Sequence, residues 1–194
     1  ILRQRIKWDQ SKDDNMKHAL IVVDMINEFV HGKLGGEGAR STIPRINRMI
    51  DFCRDRGIPV IFLKDTHKEG DPELDVWGQH AMSGSEASEI SPEMEVRDSD
   101  RVIEKSVYSG FRNTDLENSL KDAGVKSLIL AGVSTDICVM HNAMDAFMAG
   151  FRITVLSDGT AAIDEKQHEF GLDYMKRIHG AKVISTEEAI KEIG

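Results

Sequence analysis

Two thiols, Cys53 and Cys138, are the only cysteines in the chain. They are too few for a disulfide framework, so each is a packed apolar residue or a reactive group. Cys53 continues an apolar helical stripe made by Ile43, Ile46 and Ile50 and reads as core. Cys138 closes the segment Gly132-Val-Ser-Thr-Asp-Ile-Cys138, just past an apolar run. If Thr135 caps a helix there, Cys138 falls in its first turn, where unpaired N–H groups and the helix dipole favour a thiolate. A small residue in an apolar helix is the competing reading. Asp24 interrupts the run ALIVVDM and Lys105 stands in VIEKSVY; singly, the first reads as a turn cap and the second as a surface lysine. At the ends of adjoining strands the three would form a different object. A lysine there stabilises a thiolate or a developing oxyanion while an acid moves protons.

A second group is Asp65-x-His67 with His80 in Trp77-Gly-Gln-His80. An Asp and a His two apart on an extended strand end project the same way, and a later His from a loop completes a facial set of one carboxylate and two imidazoles for Zn, Fe or Mn. Trp77 would supply an aromatic wall. The competing reading is scattered loop polarity. His141, three residues after Cys138, is expected to border the same pocket, and His18, His31, His168 and His179 to be exposed or locally bonded. Met16, Met25, Met49, Met140, Met144, Met148 and Met175 read as core filler. Gly35-Gly36-Glu37-Gly38 follows no strand directly and lacks the dinucleotide spacing.

These residues need elements to hold them. Ala19–Val23, Pro59–Leu63, Ser127–Ala131 and Arg152–Leu156 read as strands buried on both faces, with Val102–Glu104 and Lys182–Ile184 as shorter ones. Between them lie a crossover helix on the Ile43–Cys53 stripe and a helix over Asp136–Ala149 with Ile137, Met140, Met144 and Phe147 inward. Another helix runs from about Ile163 to Ile178. Thr114-x-x-Glu117 and Ser185-x-x-Glu188 predict two capping boxes. Strands alternating with helices imply a mainly parallel sheet covered on both faces, with ligands at the carboxyl ends of its strands. Asp24, Lys105, Cys138 and Asp65 all follow strands. His67 to Ser99 has no clear periodicity and is too long for an idle connection, so binding residues are expected in it.

The 194 residues suit one domain, taken as 16–194, with the patternless residues 1–15 set aside as a leader or appended segment. Lys and Arg number 25 against 33 Asp and Glu, a net charge of −8 that leaves no basic face for nucleic acid. No apolar run approaches the roughly twenty residues that span a bilayer. No signal peptide is evident either, so a cytoplasmic protein without membrane partners is expected.

ALIVVDMINEF, VIEKSVYSGF and AGVSTDICVMHNAMDAFMAGF resemble the isochorismatase-like cysteine hydrolases, and DTH with WGQH is similar to the metal-binding segment of their nicotinamidase and pyrazinamidase branch. The resemblance runs from Met16 to the C-terminus. It implies a three-layer α/β/α sandwich, Rossmann-like, with a mainly parallel sheet of about six strands. It assigns catalysis to Asp24, Lys105 and Cys138, and a divalent metal, zinc foremost, to Asp65, His67 and His80. It further implies a ring pocket of Phe29, Leu34, Trp77 and Tyr108, and an oxyanion hole from the backbone N–H groups of Ser134 and Cys138, with a cis peptide between Val133 and Ser134. No organic cofactor is implied. The expected activity is release of ammonia from a small amide, nicotinamide first, by a homo-oligomer. Cys138 speaks against vinyl-ether cleavage, since isochorismatases performing it lack the cysteine. The alternatives are an N-carbamoylsarcosine or ureido-type amidase, a catalytically idle binding protein, and a non-haem iron enzyme on the Asp65 group.

Overall fold

The computed structural model describes residues 16–194, so the expected leader lies outside the described residues. In strand β1 (His18–Val23), Ala19, Ile21 and Val23 enter one core while Leu20 and Val22 enter another. That division explains the unbroken apolar run, because a strand covered on both faces has no polar side to alternate with. β2 (Val60–Asp65) divides Ile61 and Leu63 from Val60 and Phe62, and β4 (Ser127–Val133) divides Leu128 and Leu130 from Ile129 and Ala131. β3 (Arg101–Lys105), β5 (Arg152–Ala161) and β6 (Lys182–Ile184) complete a six-stranded sheet. Every pairing is parallel, in the order β3-β2-β1-β4-β5-β6.

Helices cover both faces. α1 (Asn27–Val30) and α3 (Glu73–Trp77) are short, whereas α2 (Glu37–Asp55), α4 (Leu116–Asp122), α5 (Met140–Met148), α6 (Glu165–Ile178) and α7 (Thr186–Ile193) form the outer layers. Ile46, Met49, Ile50 and Cys53 of α2 and Ala189 of α7 fill one core. Leu116 and Leu120 of α4, Ala143 and Ala146 of α5 and Met175 of α6 fill the other. The expected three-layer α/β/α arrangement is therefore present. The chain steps outward from β1 through β2 to β3, returns beside β1 as β4, and steps the other way to β6. The reversal lies between β1 and β4, the crevice where an open parallel sheet binds ligands.

Several local expectations are corrected. β5 runs to Ala161 rather than Leu156, because it resumes pairing with β4 at Thr160 after a register irregularity. Ser185 and Glu188 form the expected capping box on α7, but Thr114 does not cap α4 that way. Its hydroxyl instead donates to Gly110 O and accepts from Leu116 N–H, and α4 starts only at Leu116. The inward face of the Cys138 helix is Val139, Asn142, Ala143 and Ala146; Met144 is half-buried, and Phe147 and Met148 are exposed at 36% and 62%. Small residues face inward there because the helix lies close over β4 and β5. Met148 is accordingly no core filler. His179 is buried rather than exposed, between Phe147 and Tyr174.

Candidate active site

β1 and β4 can approach only because residue 132 is glycine. Its φ is +107°, and a Cβ there would lie 2.0 Å from Val23 O. Past this contact each strand delivers one side chain. Asp24 follows β1 in the left-handed region, φ +53°, unusual outside glycine and characteristic of constrained functional positions. The Val133–Ser134 peptide at the end of β4 is cis, as the resemblance implies. A π-helical turn, Thr135–Val139, then carries Cys138 into α5, with Val139 N–H donating to Ser134 O five residues back. Thr135 was expected to cap this helix. Its hydroxyl is instead engaged with His168 of α6 at 2.8 Å, and Ser134 is the capping position.

Lys105, the last residue of β3, reaches across the carboxyl ends of β2 and β1. Its Nζ lies 2.8 Å from Asp24 Oδ2, 3.0 Å from Asp65 Oδ1 and 3.9 Å from Cys138 Sγ. The approach to Asp24 is that of an ion pair, too oblique for an aligned hydrogen bond. All four side chains are buried. Burial raises the Asp24 carboxyl to about 6, with Lys105 pulling it down and Asp65 pushing it up. Burial also pushes the Cys138 thiol well above its ordinary range; Lys105 opposes this and Asp24 and Asp65 add to it. The helix terminus was expected to favour a thiolate; desolvation by burial, with two carboxylates adding to it, outweighs both that terminus and the ammonium. Burial works against the Lys105 charge as well, but Asp24, Cys138 and Asp65 hold it well above the usual lysine range. At neutral pH the resting set is thus carboxylate, ammonium and thiol.

The second group sits against the first, sharing Asp65. His67 Nε2 lies 3.0 Å from Asp65 Oδ2 and 3.9 Å from Glu73 Oε2, and His80 Nε2 lies 3.6 Å from Asp65 Oδ2. One candidate ligand atom from each of Asp65, His67, Glu73 and His80 falls within 4.8 Å of all the others. The outer nitrogens are already taken: His67 Nδ1 faces Asp71 Oδ2 at 3.3 Å and His80 Nδ1 faces Gly78 O at 2.8 Å. That arrangement leaves Nε2 of each ring turned inward, the orientation a metal-binding imidazole takes. Glu73 Oε1 is buried without a hydrogen-bond partner, and burial beside Asp65 raises this carboxyl to about 7. Burial pushes Asp65 upward too, but Lys105 and the two imidazoles together hold it well below the carboxylate range. These donors fit a divalent ion. Glu73 was missed in the sequence because it lies on α3, inside the stretch without periodicity; only its place between His67 and His80 hinted at it.

A cavity of about 310 Å³ opens onto both groups. Phe29, Leu34, Trp77 and Tyr108, the four expected ring-pocket residues, all line it, with Ser134, Ile137, Cys138, Glu73 and His80. Trp77 Nε1 donates to the Tyr108 hydroxyl at 3.1 Å, joining two walls. The long segment after His67 supplies Glu73, Trp77 and His80, as its length suggested. His141 does not line this cavity but packs against Tyr108 from behind, ring centroids 5.1 Å apart.

Residues 18–188 match the family model described as Isochorismatase domain, and the chain belongs to that family of hydrolases. Nicotinamidase 3 of Arabidopsis thaliana is 34% identical over 180 residues, covering 86% of this chain and 88% of that protein. The crystal structure of N-carbamoylsarcosine amidase from Thermoplasma acidophilum is 40% identical with a TM-score of 0.83, covering 89% of this chain and 98% of the other. The pyrazinamidase of Pyrococcus horikoshii in complex with zinc is 29% identical with a TM-score of 0.82, covering 87% and 99%.

Proposed function

We propose that the protein is a cysteine-dependent amidohydrolase that converts a small ring amide, nicotinamide in the first place, to its acid and ammonia. The observation carrying this reading is the contact of Lys105 with Asp24 and Cys138 at the head of an aromatic cavity. On this reading Asp24 takes the Cys138 proton when substrate displaces water, and the sulfur attacks the amide carbon. The carbonyl electrons move onto oxygen, which the N–H groups of Ser134 and Cys138 hold. Asp24 returns the proton to the amide nitrogen, the C–N bond breaks, and ammonia leaves a thioester. Water then adds to the thioester carbon with its proton passing to Asp24, the C–S bond breaks, and the thiol is restored. Lys105 pairs with whichever of Asp24 and the Cys138 sulfur carries the negative charge at each step. Asp65, His67, Glu73 and His80 would hold a divalent ion, zinc foremost, which when bound supplies a Lewis acid able to fix a ring nitrogen.

The 40% identity to an N-carbamoylsarcosine amidase favours a second reading, a carbamoyl amidase. The cavity supports nicotinamide over it. No Arg or Lys is among its lining residues, and three of them, Glu37, Asp65 and Glu73, are acidic. A substrate bearing a carboxylate finds no guanidinium or ammonium among the lining side chains to offset its desolvation. Ammonia release from nicotinamide and from N-carbamoylsarcosine, compared at equal protein concentration, decides between them. Faster release from the carbamoyl compound would replace the first reading by the second.

A further inference from the structure

Asn142 stands one helical turn after Cys138 and is completely buried. Its side-chain Nδ2 donates to Cys138 O at 2.8 Å and to Tyr108 O at 3.2 Å, and its Oδ1 accepts from Gly110 N–H at 2.9 Å. Two donors and one acceptor are thereby spent on three backbone groups from two separate segments. Only a primary amide presents that set at that reach: a threonine has one donor, and an aspartate would turn oxygen toward two carbonyls. The loop it grips has no slack on its other side, since a Cβ on Gly110 would lie 2.6 Å from a methyl group of Leu63. From Tyr108 the linkage continues through its hydroxyl to Trp77. A continuous path therefore runs from the backbone of Cys138 to both aromatic walls of the cavity.

We propose that Asn142 is a positioning residue that sets the distance between the nucleophile's turn and the Tyr108–Trp77 wall, and so decides how tightly a ring is held once its amide reaches Cys138. The proposal rests on the function proposed above for the meaning of its kinetic effects, but the wall itself can be read without substrate. Asn142 touches no reacting atom. Its loss should weaken ring binding more than it slows the chemistry, because Asp24 and Lys105 are placed by the strands and the Cys138 turn is also anchored to Ser134 O through the N–H groups of Ile137 and Val139.

Asn142→Ala and Asn142→Thr are compared with the parent, nicotinamide serving as substrate. The expected result is a KM raised about tenfold, equivalent to roughly 1.4 kcal/mol of binding, with kcat per folded molecule changed less than about threefold. In a Tyr108→Ala background the same Asn142 change should raise KM no further, since the wall it positions is gone. In a Trp8→Phe background, acrylamide quenching of Trp77 without substrate should increase in both variants. If Asn142→Ala fails to fold, Asn142→Thr, which keeps one donor, carries the comparison. Unchanged KM and unchanged Trp77 quenching in a destabilised but folded variant would overturn the proposal and leave Asn142 an ordinary buried polar residue. Absence of nicotinamide turnover in the parent, with the quenching change still present, would instead count against the substrate and not against the wall.

Discussion

At the residue scale the chemistry turns on where protons rest. On the proposed mechanism, Asp24 at about 6 and a Cys138 thiol pushed up by burial mean that the proton acceptor is ionised, and the donor still protonated, across the neutral range. Below about pH 6 Asp24 carries the proton and cannot receive another. The expected kcat/KM for nicotinamide therefore rises with pH through about 6 and levels off above it; a profile flat down to pH 4.5 would remove Asp24 as the acceptor. Cys138→Ala should abolish turnover with the circular dichroism spectrum unchanged. Cys53→Ala should leave the rate per folded molecule nearly unaltered, because Cys53 lies in the opposite core with burial lifting its thiol to about 12. The identity of every side chain in the Lys105 contacts was legible in the sequence, since each follows a strand. Their protonation was not. A helix start argues for a thiolate, and only the coordinates show that Cys138 is buried deeply enough for desolvation, with two carboxylates adding to it, to reverse that argument.

At the element scale the strands were easier to read than the helix ends. β1, β2 and β4 contain the unbroken apolar runs 19–23, 60–63 and 128–133 because both faces of the sheet are covered there. Helix termini depend on who competes for each hydroxyl. Ser185 and Glu188 have no rival partners and close their box, while Thr114 is drawn to Gly110 O by the loop folded beneath it. Ser185→Ala should lower stability by about 1 kcal/mol, seen as a fall in Tm, without altering kcat. The single glycine between β1 and β4 has a larger expected effect. Gly132→Ala must accommodate both a left-handed φ and a Cβ placed 2.0 Å from Val23 O, so β1 and β4 have to part. Those two strands carry Asp24 and the Cys138 turn. Thermal stability and turnover should fall together in this variant; a stable, inactive Gly132→Ala protein would mean that the crevice depends on something other than strand spacing.

At the scale of the whole molecule, four ligand-type side chains arrive from three places. Asp65 ends β2, His67 follows it by two residues, and Glu73 and His80 return from the long segment that crosses the sheet end. His67 N–H bonds Ala81 O and Ser83 N–H bonds His67 O, so the loop is fastened beside the strand end at the point where His80 turns in. Asp65, His67 and His80 were legible from their order in the sequence; Glu73 was not, because a carboxylate on a five-residue helix has no periodicity to mark it. A divalent ion held by four side chains that only the folded strand end and loop bring within 4.8 Å of one another binds the folded form in preference to the unfolded one, so it must raise stability by mass action, about 2.7 kcal/mol at a free concentration one hundred times Kd. The Tm of chelator-treated protein should accordingly rise with added Zn, and elemental analysis after desalting should return close to one ion per chain. His80→Ala should abolish most of that rise, and Glu73→Gln should weaken it, because removing one donor from so small a set leaves too few to hold the ion tightly. Lys105 constrains the outcome further. Its ammonium already shares Asp65, so Lys105→Met, which deletes the competing cation, should tighten metal binding even as it stops turnover. An unchanged Zn-dependent Tm rise in both His80→Ala and Lys105→Met would place the ion somewhere other than this cluster.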